Sequence, residues 1–459
     1  MKKPLCLLAA IVLTNAAGGG AAHAQTLEEA LIAAYNNNPT LLAERARLRS
    51  TDELAPQALA GWRPTVRLAA DIGKSRTDSN TAVVSNPQTR TPRSAALQVS
   101  QPVYDGGRTP AALEQSENTI RSGQAQLSAT EQAVLLSAAT AYMNVVRDQA
   151  VLELNINNVQ VLRRQLEASR DRFRVGEITR TDVSQSEARL ARSIADRVAA
   201  EGNLQASRAA FENVVGIMPE RLKAPAVVSD LPSSLPQAVE LAATQNPSVI
   251  ATSLAAQAAV NGVDVARSDL LPDVTLNGSL SRNENTVITG SRSDVAQATV
   301  NLTVPLYQAG AVYSRVRQQK HVANQRRIET DQQRRDAIES AARAWEALQA
   351  AQAQISSFRA QIEASEIALE GVQREAQVGS RTVLDVLDAE QELLDSRVNL
   401  VRAQRDEGVA AVQLKSAIGR MTAPGLSLPV DIYDPTRNYE TVRGKWFGTD
   451  VEPVVRFRE

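Results

Sequence analysis

The chain has 459 residues, 43% of them hydrophobic, with 50 Lys and Arg against 51 Asp and Glu. This is enough apolar content for a folded core, and there is no basic excess of the kind a nucleic-acid binder carries. The one cysteine, Cys6, and one of the two histidines, His23, lie in the first 24 residues, which excludes zinc centres, disulfide frameworks and cysteine nucleophiles and leaves His321 without a histidine or thiol partner.

Lys2 and Lys3 precede an apolar run from Leu5 to Leu13, and Ala22-His23-Ala24 precedes Gln25. A basic start, a short apolar core and an A-x-A site predict an export signal over 1–24. The run is far shorter than the ~20 residues of a spanning helix. Cys6 stands too early to accept a lipid, so no acyl anchor is expected. No later stretch reads as a transmembrane helix.

The rest of the chain is a duplication. Thr26 through Leu41 matches Ser234 through Val249 at an offset of 208, which also aligns Pro64 with Pro272. Beyond that the offset is 203, aligning Pro102-Val103-Tyr104 with Pro305-Leu306-Tyr307, Gly107 with Gly310, Gly176 with Gly379 and Asp182 with Asp385. The halves are expected at 25–225 and 226–420, with a C-terminal periplasmic tail over 421–459 that either wraps the outside or hangs free. The change of offset places a five-residue deletion between the matched prolines, and indels of this kind sit in exposed turns.

Each half is predicted to open with a helix of about 35 residues. Two alternating segments follow. Val66, Leu68, Ala70 and Ile72 alternate with Arg67, Ala69 and Asp71, and Leu97 and Val99 with Gln98 and Ser100. Val274, Leu276 and Leu280 oppose Thr275, Asn277 and Ser281, and Ala296 to Val304 alternate in the same way. Segments of about ten residues with this period fit transmembrane strands with a wet interior. A long helix comes next, from about Thr109 to Arg174 in the first half. Leu113, Ile120, Leu127, Val134 and Ala141 keep a heptad, which resumes after a four-residue stutter at Val145, Leu152, Val159, Leu166 and Phe173. Ala341, Leu348, Ile355, Ile362 and Leu369 repeat the habit. Such heptads predict coiled-coil packing, and the first of these helices would run roughly 100 Å.

Four strands cannot close a membrane barrel, and an open edge in lipid leaves backbone groups unpaired, so several chains must contribute. At this point the sequence resembles the TolC family of outer-membrane efflux and secretion channels over about Thr26 to Gly419. The resemblance rests on the duplicated plan, on Gln101-Pro102-Val103-Tyr104-Asp105-Gly106-Gly107-Arg108, and on Val378-Gly379-Ser380-Arg381-Thr382-Val383-Leu384-Asp385-Val386-Leu387-Asp388-Ala389. It implies a mainly α fold with a transmembrane β portion: a homotrimer, a twelve-stranded β-barrel with four strands per chain, and a coiled-coil α-helical barrel tapering to a periplasmic gate. It also implies a passive exit duct in the outer membrane, working with a periplasmic adaptor protein and an inner-membrane transporter of ABC or RND type. No cofactor, catalytic residue or nucleic-acid partner is expected.

Asp385 and Asp388, three apart, share one helix face. The resemblance assigns them to an acidic double ring at the gate. The plainer reading is a first-turn pair favoured by the helix dipole. The same resemblance makes Arg381 a latch to Thr181 and Asp182, whereas local geometry alone offers Arg381 an ion pair with Asp385. The tyrosine that supplements the latch in well-known members is Ala376 here. Val175, Gly176, Val378 and Gly379 mark the helical turns expected to meet the adaptor. Pro102, Gly106, Gly107, Pro305 and Gly310 mark the joints between strand and helix. A trimeric coiled-coil stalk or adhesin is the rival, but it needs neither duplication nor strand pairs.

Overall fold

The repeat offsets recur as repeated elements. The computed structural model describes residues 25–78, 88–220, 222–224 and 230–451; the expected export signal at 1–24 and the end of the tail lie outside these. The first half contains α1 (Leu27–Asn37), α2 (Pro39–Asp52), α3 (Leu54–Leu59) and a 3-10 turn at Ala60–Trp62. There follow β1 (Thr65–Ile72), β2 (Ser75–Thr77), β3 (Gln88–Arg90), β4 (Arg93–Asp105), α4 (Arg108–Arg174) and α5 (Arg180–Val215). The second half contains α6 (Leu235–Gln245), α7 (Pro247–Ser268), β5 (Asp273–Glu284), β6 (Arg292–Thr303), α8 (Ala311–Gln377) and α9 (Val383–Ala417). A short α10 (Arg437–Arg443) ends the series. The long helices α4 and α8 have 67 residues each.

The single opening helix expected from the apolar pattern is broken, and the break has a function in packing. Pro39 has no N–H to give, and Asn38 leaves the helical region to cap α2, its Oδ1 accepting from Thr40 and Leu41 N–H at 2.9 and 3.3 Å. Its Nδ2 donates to the Val214 carbonyl oxygen at 2.8 Å, so one side chain joins the end of α5 to the start of α2. Asn246 repeats the arrangement, capping α7 and donating to the Ala417 carbonyl oxygen at 3.0 Å. The result is two composite rods, α5 on α2 and α9 on α7, each assembled end to end beside an unbroken long helix. Towards the sheet α7 lies between α4 and α8; beyond the junction α9 takes that place.

One stretch departs from the sequence expectation for membrane helices. Leu235–Ser268 reaches a mean hydropathy of 1.3, but Asn246-Pro247 interrupts it. Its alanines and valines are a packing face, with Ala242 and Val249 set against Ala337 and Ala341 of α8.

Most heptad positions are buried, with Leu113, Leu152 and Ile362 half-buried. Ile120, Leu127, Val134, Ala141, Val145, Val159 and Leu166 are buried on α4, as are Ala341, Leu348, Ile355 and Leu369 on α8. Phe173, last of its series, is exposed at the helix end. The stutter falls within the main core. Leu135, Ala138, Tyr142 and Val145 there meet Leu31 and Tyr35 of α1 and Phe211 of α5. The Tyr142 hydroxyl donates to the Lys223 carbonyl oxygen (2.7 Å) and lies 2.9 Å from that of Gln25. Burial pushes its pKa up to about 12.

Four strands form the main antiparallel sheet in the order β1-β4-β5-β6, and β2 and β3 pair in a separate two-stranded ribbon. Register sorts the side chains into two faces. Val66, Val99, Gly278 and Ala298 form one row, and Leu68, Leu97, Leu280 and Ala296 the next. Between them on the other face lie Arg67, Gln98, Ser279 and Gln297. The period-two reading of the sequence is therefore a sheet with one apolar and one polar face. Nothing among the described residues covers the apolar one: Leu68 is 75% and Ile72 73% exposed. By the two offsets Arg76 and Thr89, paired in β2–β3, answer to Glu284 and Arg292, paired at the end of β5–β6, so the five extra residues fall in the end of the first hairpin, where 79–87 lie outside the described residues.

The described part of the tail is packed along the body and does not hang free. Met421, Ala423 and Leu428 join the main core, and the Ala423 N–H donates to Glu131 Oε1 at 2.6 Å. It then climbs towards the sheet. Tyr433 N–H donates to the Tyr35 hydroxyl (3.0 Å), Asn438 Nδ2 to Asp52 Oδ2 (2.7 Å), and the Tyr439 hydroxyl to Glu117 Oε1 (3.1 Å). Finally Arg63 Nη1 donates to the Lys445 carbonyl oxygen at 2.9 Å.

Candidate gate and joints

Both long helices end in the same way, because both carry Val-Gly where the chain must reverse. Gly176 (φ 84°) and Gly379 (φ 81°) adopt the left-handed conformation that glycine tolerates. Glu177 N–H returns to the Arg172 carbonyl oxygen at 2.9 Å, and Ser380 N–H to that of Glu375 at 2.9 Å. Each turn leaves a valine outside: Val175 is 72% and Val378 81% exposed.

The next helices start with matching capping boxes. Thr382 N–H donates to Asp385 Oδ2 at 2.9 Å, the Thr382 hydroxyl to the same oxygen at 2.8 Å, and Asp385 N–H to Thr382 Oγ1 at 3.2 Å. Thr179 and Asp182 repeat this with distances of 2.9, 2.8 and 3.3 Å. The plainer reading of Asp385, a first-turn acid, is thus present in the structure. The Thr382 N–H and hydroxyl, with a smaller contribution from the Arg381 charge, hold its carboxyl below the usual range, so it stays ionised.

The remaining gate candidates have partners within the chain. Asp388 forms an ion pair with Arg189 of α5. Beneath that pair, Leu162, Val383 and Leu387 are buried together with Ile178 and Leu190 against them, so the seam between the two hairpins is apolar inside and charged at the surface. Arg381 donates through Nε to Glu375 Oε2 at 2.9 Å, which raises its pKa. Asp182 Oδ2 is held by its own cap, and Thr181 is exposed beside it. Within one chain the structure therefore brings Asp388 to Arg189 and Arg381 to Glu375, two partners the sequence reading missed. The Thr-x-x-Asp spacing of both boxes was readable; the Arg189 pairing depends on α5 meeting α9 and has no local signal.

At the other end, Asp105 caps α4, its Oδ1 accepting from Gly107 N–H at 3.1 Å and its Oδ2 from Thr109 N–H at 2.8 Å. Gly106 (φ 65°) is required twice over, since a Cβ there would stand 2.7 Å from the Ser268 carbonyl oxygen. Its counterpart Ala309 adopts the same region (φ 52°), followed by Gly310 at φ 80°. Pro102 lies at a register shift between β4 and β5. Pro305 falls in the link between β6 and α8. Asp269 ties the two long helices together, pairing with Arg108 of α4 and, at 2.7 Å, with Arg315 of α8.

The plan of duplicated hairpins on a shared sheet matches a known family. The sequence model of the outer membrane efflux protein family covers residues 31–217 and 238–420. The chain belongs to the outer membrane efflux protein family. Outer membrane efflux protein BepC of Brucella suis is 34% identical over 443 residues, 96% of this chain and 95% of the relative. Outer membrane protein TolC of Vibrio cholerae is 29% identical over 433 residues, 92% and 96% of the two chains. The fold is also that of the outer membrane protein VceC of Vibrio cholerae, with a TM-score of 0.76 at 23% identity over 86% of this chain and 96% of that one. This efflux protein is accordingly an outer-membrane channel protein of efflux or secretion type, with the sheet and helices described above as its parts.

Proposed function

We propose that three copies of this chain close their sheets into one twelve-stranded barrel, and that the helices continue it as a hollow periplasmic duct ending at an acidic gate. The observation that carries this is the pair of open edges. β1 and β6 each leave a row of N–H and C=O groups unpaired, next to an uncovered apolar face. In hydrocarbon each such group costs several kcal/mol, and a sheet of four strands is too narrow to close on itself. Pairing β1 of one copy with β6 of the next removes every edge and turns the polar rows inward.

At the far end, Asp385 and Asp388 from three copies stack as two acidic rings that favour cations and repel anions. Arg381 turns from Glu375 to Thr181 and Asp182 of a neighbouring hairpin as the closed-state latch. The exposed Val175 and Val378, with Gly176 and Gly379, meet a periplasmic adaptor. An inner-membrane transporter of ABC or RND type supplies cargo, and the duct conducts it passively.

Planar-bilayer conductance tests the reading. Asp385→Asn keeps an N3 acceptor for the capping box while removing the charge, which Asp385→Ala would not. Purified wild-type protein is expected to give small, cation-preferring currents. The D385N/D388N variant should lose most of that preference. Unchanged selectivity would remove the gate assignment, and no current from well-incorporated oligomers would favour a stalk.

A further inference from the structure

Aromatic side chains are scarce, and the exposed ones are not scattered. Seven are largely exposed among the described residues. Only Phe173 lies at the gate end; Trp62, Tyr104, Tyr307 and Tyr313 flank the junction between strands and helices. The remaining two, Trp446 and Phe447, come from the tail, which reaches that level only through the climb from Glu131 past Glu117 to Arg63. There the Arg63 guanidinium stacks over the Trp446 ring, 4.7 Å from its centroid, and the two tail rings lie tilted with centroids 6.5 Å apart. Trp446 is 58% and Phe447 87% exposed.

We propose that Trp446 and Phe447 form a lipid-seated wedge by which the C-terminal segment anchors the base of the barrel in the phospholipid headgroup layer of the periplasmic leaflet. The inference rests on the reading of the strands as membrane-spanning. Position is the first argument. Arg63 stands three residues before Val66, the first side chain of the apolar face, so its backbone lies within about 10 Å of where hydrocarbon begins, and the Trp446 ring is stacked on its side chain. Chemistry is the second. An indole and a phenyl ring beside the cations Arg63 and Lys445 suit the layer where apolar chains meet anionic phosphates, and Trp is enriched there in membrane proteins. Energetics is the third. A pair of rings held in place yet left open to water is costly in solution and favourable once lipid covers it.

The chain has three tryptophans, so quenching by bromine-labelled phospholipids can address each in the full-length protein reconstituted in vesicles. In the W62F/W345F variant Trp446 is the sole indole, and its emission should fall by about half with bromines placed near the headgroup, and by less with bromines near the chain ends. The W62F/W446F variant leaves Trp345, which packs beside Ala344 and Leu348 in the helical body, and should not be quenched. A third protein, L68W on a W62F/W345F/W446F background, reports on the apolar face of β1 and should respond to the deep bromines. Trp446 emission unaffected by either lipid while L68W is quenched would overturn the wedge and leave the barrel standing. Failure of L68W as well would overturn the membrane reading on which the wedge rests.

Discussion

Asn38 and Asn246 each serve two helices at once, accepting N–H groups at the head of one and donating to a carbonyl at the tail of another. Replacing either by Ala removes a cap worth ~1 kcal/mol and leaves a carbonyl unpartnered. Asp in place of Asn restores the cap but not the donor. N38A and N38D should therefore both lower the thermal midpoint, with N38D intermediate; equal midpoints for N38D and wild type would show that the link to Val214 contributes nothing. Glu131 gives a pH-dependent counterpart. Burial raises its carboxyl above the usual value, and the Ala423 N–H only partly offsets this. The fold thus favours the neutral form, so the contribution is fully present below the unfolded value of about 4.3 and is lost as pH rises through the higher folded value. E131Q keeps an acceptor without ionising and should flatten that part of the stability profile. An unchanged slope would show that Glu131 is not its source.

At the scale of elements, what could be read in the sequence depended on period. The sustained heptads gave α4 to within a residue of its start, and alternation gave the four main strands with their faces. The break at Asn38 was hidden because apolar residues continue on both sides of it, although the Asn-Pro pair was itself part of the repeated motif. The tail was legible only as two alternatives, wrapped or hanging, because it has prolines and no period and is held by Tyr35, Asp52 and Glu117, far away in sequence. Gate chemistry was legible in residue type and not in partner, since Arg189 meets Asp388 only through the packing of Val383 and Leu387 against Leu162. The same logic predicts where length can change. One residue inserted in α8 between Leu348 and Ile355 rotates the following heptads by about 100° and should abolish assembly. Several residues inserted in the turn at 285–291 should be tolerated, as oligomer yield in detergent will show. Equal yields from both would contradict a heptad-built duct.

For the whole molecule, the decisive feature is a sheet that is finished only by its neighbours. The long helices, the stacked rods joined at Asn38 and Asn246, and the acidic tips supply a protomer whose uncovered faces are the apolar side of the strands and the two edges. Site-directed cross-linking between those edges is the most direct test. A cysteine at Ala69 in β1, combined with cysteines scanned along 295–299 of β6, is predicted to give covalent species that end at three copies in membranes. Monomers alone across the scan, or a ladder continuing past three, would contradict the closed trimeric barrel.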